Sequence, residues 1–92
     1  MIRSFRCNET EKVFKRERSR KFGNLADVAL RKLLALNAAK ELRDLRVPPG
    51  NELEALKGDR QGQHSIRVNK QFRICFVWKT GNAEEVEIVD YH

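Results

Sequence analysis

The chain of 92 residues is long enough for one domain and too short for two, and its 40% hydrophobic against 35% charged residues give enough apolar matter for a core and too much for a disordered tail. Its apolar runs, around Ala35-Leu36 and from Ile74 to Trp78, fall far short of the ~18 residues of a membrane span. No apolar block of a secretory signal follows Met1 to Arg6, so a cytoplasmic location with no membrane partner is expected.

The net charge of +6 is unevenly spread. Residues 1–22 carry eight basic side chains against three acidic ones, and residues 57–79 carry six against one. The middle of the chain balances and residues 80–92 are acidic. Two basic blocks of this kind attract a polyanion with strong salt dependence, or else form a solvated face that keeps the protein soluble; charge alone leaves both open.

In chain order, Ile2 to Phe5 reads as a short strand. Thr10 is placed to cap a helix running through Val13 and Phe14 to about Arg18, with Glu11 in its first turn, basic residues near its end and Gly23 as its stop. Asn24 and Asp27 resemble a capping box for a second helix, in which Leu25, Ala29, Leu33 and Leu36 recur at helical spacing while Val28 and Leu34 widen the stripe. Asn37-Ala38 bends that helix ahead of a further helical stretch from Lys40 to Leu45, and Pro48-Pro49-Gly50-Asn51 ends the helical region.

From Glu52 the period drops to two. Gln63 to Val68 places His64, Ile66 and Val68 on one face and Ser65 and Arg67 on the other. Asn69-Lys70 turns the chain into a strand with Phe72, Ile74, Phe76 and Trp78 on one face and Arg73, Cys75, Val77 and Lys79 on the opposite one. Gly81-Asn82 turns it again into Glu84 to Tyr91. The predicted fold is α+β: an N-terminal strand and two to three helices pack on one face of an antiparallel sheet of three or four strands, and the other face is left for function.

Chemistry concentrates in a few places. Arg67 and Arg73 fall opposite the core-facing Ile66 and Ile74 and close together across a hairpin, without acidic partners on their own strands. They form either a phosphate seat or arginine stems covering apolar sheet. Asp90-Tyr91-His92 sets a carboxylate, a phenol and an imidazole in succession. Strict alternation sends Asp90 and His92 to one face and Tyr91 to the other, so a working cluster requires the end of the chain to twist or leave the ladder; otherwise it is a frayed terminus. Lys57-Gly58-Asp59-Arg60 is by itself an ordinary turn, and His64 lacks second and third ligands for a metal. Cys7 and Cys75 read as free thiols.

Taken in order, Leu56-Lys57-Gly58-Asp59-Arg60, His64-Ser65-Ile66-Arg67-Val68-Asn69, Phe72-Arg73-Ile74-Cys75-Phe76 and the terminal Asp90-Tyr91-His92 resemble the HigB branch of the RelE/ParE toxin superfamily, from the Met-Ile-Arg-Ser-Phe opening to the last residue. The resemblance implies a RelE-like fold in a single toxin domain spanning residues 1–92. It also implies a ribosome-dependent endoribonuclease, the toxin of a type II toxin–antitoxin pair, that cleaves messenger RNA in the ribosomal A site. The implied partners are a HigA-like helix-turn-helix antitoxin, the ribosome and its messenger, with operator DNA reached only through the antitoxin. No metal or other cofactor is implied, and the family's active-site residues carry over onto Asp90, Tyr91, His92, Lys57 and Arg73.

One departure is chemical. Where a branch of the family has a histidine three residues before the turn lysine, this chain has Glu54, which accepts a proton as imidazole does but repels phosphate. RNA cleavage needs the 2′-hydroxyl deprotonated, the phosphate charge stabilised and the 5′-oxygen protonated as it leaves. On this scheme Arg73 and Lys57, aided by Arg67, hold the phosphate. Asp90, His92 or Glu54 is the base, and His92 and Tyr91 compete for the acid or for stacking on a splayed base. The basic blocks, with Lys15, Arg16, Arg20, Lys21 and Arg60 besides Arg67, contact RNA of the ribosome. The alternatives are a ParE-like gyrase inhibitor without catalysis and an RNA-binding relative with a weakened site.

Overall fold

In the computed structural model, which describes residues 1–91, helices α1 (Asn8–Phe14) and α2 (Ala26–Ala38) precede four strands: β1 (Glu54–Ala55), β2 (His64–Arg67), β3 (Phe72–Lys79) and β4 (Asn82–Asp90). The strands form one antiparallel meander in the order β1-β2-β3-β4, which is the α+β architecture the residue pattern predicts. Two expectations need correction. The helical stretch expected from Lys40 to Leu45 is shorter and tighter than an α-helix: α2 stops at Ala38, and a 3-10 helix, Leu42–Arg46, follows behind a capping box made by Glu41 and Asp44. The N-terminal strand reduces to two parallel bridges, Ile2 to Ala83 and Phe5 to Val86. Even so, Arg3 and Arg6 donate their N–H groups to Ala83 and Val86, so the segment shields the outer edge of β4.

Helix α1 begins with Cys7 at its N-cap rather than Thr10, and it ends at Phe14, well short of Arg18 and Gly23. Its stop is a Schellman motif: the Glu17 N–H reaches the Lys12 carbonyl at 2.8 Å and the Arg16 N–H reaches that of Val13 at 3.1 Å, while Arg16 takes the left-handed conformation, φ 61°. Thr10 is buried inside the helix, and its hydroxyl accepts the Ile88 N–H at 2.9 Å, which ties α1 to β4. Helix α2 has no side-chain cap and enters from the turn Gly23–Leu25, so the expected box of Asn24 and Asp27 does not form. Its periodicity holds: Ala29, Leu33 and Leu36 are fully buried, and each large aliphatic of this kind contributes about 1.5–3 kcal/mol.

The core lies between the helices and the inner sheet face, where Ile66, Ile74, Phe76, Val86 and Ile88 meet Leu33, Leu36 and Phe22. Thr80 and Gly81, both at positive φ, make the tight turn joining β3 to β4. One irregularity was not legible beforehand. Between Cys75 and Val77 the register shifts, and Glu85, at φ 51°, is the extra residue of a bulge in β4. It explains why the buried residues of β4 are Ala83, Val86 and Ile88 instead of a strict alternation.

Candidate active site

Direct cross-strand partners share a face, so the register assigns the outer sheet face row by row. One row runs Glu54, Ser65, Cys75, Glu87 across all four strands, and the next runs Arg67, Arg73, Val89. Arg67 and Arg73 are thus immediate neighbours, as alternation predicts. They are not bare, however. Arg73 meets Glu54 at 3.4 Å and Glu52 at 3.8 Å, and Arg67 meets the other oxygen of Glu52 at 3.9 Å. The arginines' own strands carry no acidic residue, as the sequence reads; the acidic partners come from β1 and the residues ahead of it. β1 brings Glu54 into the sheet, and the turn Pro49–Asn51, which ends with Glu52 in the left-handed region, swings that residue over the arginines.

Arg73 is the best-held side chain of the group, only 11% exposed. Its Nε donates to Ser65 Oγ at 2.8 Å, and its Nη2 donates to the Ser65 carbonyl at 3.4 Å and to the Glu52 carbonyl. Both carboxylates beside it are more than half exposed. The loop carrying Glu52 is anchored by buried Asn51, whose amide donates to the Leu45 and Val47 carbonyls and accepts from Lys32 of α2.

Arg60 comes from the turn Gly58–Arg60 and lies over the neighbouring row, where its Nη1 donates to Glu87 at 2.9 Å and to Gln63 at 3.1 Å. The hydrogen bond to Glu87 raises the Arg60 pKa, and burial opposes this. Arg6 approaches the same Glu87 oxygen at 3.9 Å. Cys75 is fully buried in this row, and burial pushes its thiol pKa up, which makes it an inert thiol. Lys57 is exposed at the head of the turn, with its carbonyl accepting the Arg60 N–H.

The terminal cluster resolves in part. Asp90 stays in the ladder, paired with Phe72, and its carboxylate accepts from Gln71 at 3.0 Å. This puts it on the core-side parity, away from the arginine row. Tyr91 keeps contact with the sheet through its N–H to the Gln71 carbonyl at 2.7 Å and is 40% exposed. His92 lies outside the described residues.

Lys15, Arg16, Arg20 and Lys21 are exposed on the connection between the helices. Lys15 pairs with Glu11 at 3.2 Å and Lys21 lies 5.4 Å over the Phe22 ring. That ring packs edge-on to Phe72, the cross-strand partner of Asp90, so the basic connection lies beside the end of the sheet that bears Asp90. His64 is half-buried on the other parity, stacked on Phe76, beside a cleft of about 360 Å³ bounded by Leu42, Arg43, Arg46, Leu53 and Ala55. Among the described residues no three His, Cys, Asp or Glu side chains gather as a metal site, and no helix is long and apolar enough to cross a membrane.

Sequence reasoning missed the roles of Glu52, Ser65 and Glu87. Ser65 was placed on the correct face by alternation, yet its hydroxyl gave no sign of serving an arginine eight residues away. Glu52 left no signal, because its position depends on a left-handed backbone that a glutamate rarely adopts.

Comparison with known proteins supplies the remaining evidence. Residues 3–92 match the family model described as the RelE-like toxin of type II toxin-antitoxin system HigB. Over 60 residues the chain is 48% identical to Toxin HigB-1 of Vibrio cholerae, covering 65% of this chain and 63% of that one. Over 61 residues it is 38% identical to Endoribonuclease HigB of Proteus vulgaris, covering 66% and 65%. The matches thus span a little under two thirds of these relatives' length. In three dimensions the chain superposes on a YoeB-YefM complex from Staphylococcus aureus, with a TM-score of 0.58 at 16% identity over 100% of this chain and 98% of that one, which shows a shared fold. With the facing arginine pair on its outer sheet face and a family-model match over residues 3–92, the chain belongs to the HigB family of RelE-like toxins of type II toxin–antitoxin systems.

Proposed function

We propose that this chain is a ribosome-dependent, metal-independent endoribonuclease that acts in the cytoplasm on messenger RNA in the ribosomal A site. The observation that carries the reading is Arg73, held rigid on the outer sheet face beside an exposed carboxylate pair, its cross-strand partner Val89 two residues before Tyr91. An incoming phosphodiester exchanges for the Glu52 carboxylate and bridges Arg73 and Arg67, with Lys57 adding positive charge from its exposed turn. Glu54, 3.4 Å from Arg73, is the candidate base nearest to that phosphate. Asp90 and His92 are the alternatives, and Tyr91 and His92 remain the candidates for the acid or the stacking partner. Side chains supply both proton transfers and the charge stabilisation.

Lys15, Arg16, Arg20 and Lys21 dock on RNA of the ribosome, while Arg60, committed to Glu87, acts from the edge of the site. The ribosome supplies substrate geometry, and positioning of this kind is worth roughly 7–11 kcal/mol of barrier. Neutralisation falls to a HigA-like helix-turn-helix antitoxin, through which operator DNA is bound.

Inducible expression of the chain alone, with mapping of transcript 5′ ends, tests the proposal: growth arrest with in-frame cuts is expected. In a translation reaction His92→Gln abolishes cutting with the fold intact by circular dichroism, and Arg73→Ala lowers the rate by at least about 100-fold, as removal of a transition-state charge partner does. Retained cutting by His92→Gln refutes its assignment. Inhibited supercoiling by gyrase with intact messenger favours the ParE-like alternative.

A further inference from the structure

We propose that Ser65 is a positioning residue for Arg73, and that its buried hydroxyl sets which edge of the guanidinium is offered to the scissile phosphate. Ser65 is fully buried in the outer-face row although it carries a polar side chain, and a buried hydroxyl belongs where it has a partner. Its partner is Arg73 Nε at 2.8 Å. The contact fixes the guanidinium at the point where its plane joins the aliphatic stem. The Ser65 and Glu52 carbonyls then occupy Nη2.

Three acceptors that cannot diffuse away thus hold the inner edge of the fork. What faces Nη1 is the Glu52 carboxylate, more than half exposed and 3.8 Å away. A phosphate that displaces it finds an arginine already in place, whereas an arginine freed from Ser65 turns its Nε–H to the neighbouring carboxylates and must be recaptured in each turnover. The register makes the device possible, because Ser65 pairs with Cys75 and lies one row from Arg73, within reach of Nε but too far in to touch substrate itself.

The kinetic consequence rests on the nuclease reading; the positioning itself does not, and the two are tested separately. In the translation reaction Ser65→Ala lowers kcat by about 10- to 100-fold, the range for a misplaced catalytic group, with KM changed less than about threefold. The same substitution made in the Arg73→Ala background has no further effect. An equal loss in both backgrounds identifies a merely structural role and overturns the proposal. Ser65→Cys, similar in volume and a weak acceptor, serves in place of Ala if the latter unfolds.

Independently of catalysis, the Arg73 Nε–H resonance of the wild-type chain is protected from solvent exchange, and Ser65→Ala or Ser65→Cys removes that protection. An unchanged resonance overturns the assignment. Wild-type protein that leaves translated messenger uncut overturns the nuclease reading instead, and the resonance then decides the positioning alone.

Discussion

Glu52 touches both arginines of the outer face with its carboxylate and holds Arg73 with its carbonyl, so one residue both braces the arginine pair and covers it. The two functions separate by mutation. Glu52→Gln keeps the backbone carbonyl and removes the competing charge, so binding of a non-cleavable RNA oligonucleotide tightens about two- to fivefold, the worth of one exposed ion pair. Weaker binding in a filter or anisotropy titration identifies the carboxylate as part of the binding surface instead. Asn51 backs this residue from below by tying its turn to Leu45, Val47 and Lys32.

At the scale of elements, the hairpin of β2 and β3 was legible down to the facing arginines, because a period of two and a short Asn69-Lys70 connection leave little freedom of register. Helix α1 was not. Its stop uses an arginine at the left-handed position that favours glycine, so no residue type announced it, and Gly23 drew the boundary too far along. The bulge at Glu85 was hidden for the same reason. Gly in place of Arg16 relieves a conformation that costs an L-residue about 1 kcal/mol. Arg16→Gly therefore raises the melting temperature by a few degrees in a domain of this size, while weakening docking on the ribosome if the basic connection contacts RNA. A lower melting temperature in calorimetry shows that the Arg16 stem packs more than it strains.

Across the whole molecule, pH acts through carboxylates that brace the helical half of the chain, Glu9 at α1 and Asp44 in the Leu42–Arg46 turn. The Ser19 hydroxyl, and then Lys12, hold the Glu9 carboxyl below its ordinary pKa of 4.5, and the N–H groups of Glu41 and Lys40 hold Asp44 below its ordinary 3.8. Because the folded values lie lower than the unfolded ones, the folded state binds fewer protons as these groups titrate. Their stabilisation is present in full above those ordinary values and is lost as pH falls through the depressed ones. Melting temperatures therefore fall below about pH 4.5, and the Glu9→Gln, Asp44→Asn double variant shows a shallower fall; parallel curves for the two proteins disprove the linkage. Neither pairing was visible beforehand, since Ser19 reaches Glu9 only after the chain reverses at Arg16.

The threading of residues 1–6 along β4 bears on how the protein is handled at the bench. The Met1 carbonyl accepts the Ala83 N–H, so a purification tag fused ahead of Met1 emerges near the Thr80-Gly81 turn, roughly 23 Å along β4 from Asp90 at ~3.3 Å per residue. A tag joined at the carboxyl end instead follows Tyr91, whose N–H is bound to the Gln71 carbonyl, at the end of β4 opposite Ala83. Under the proposed nuclease reading, carboxyl-terminal fusions are expected to cut translated messenger more slowly than amino-terminal ones; equal rates show that the end of β4 lies clear of the substrate.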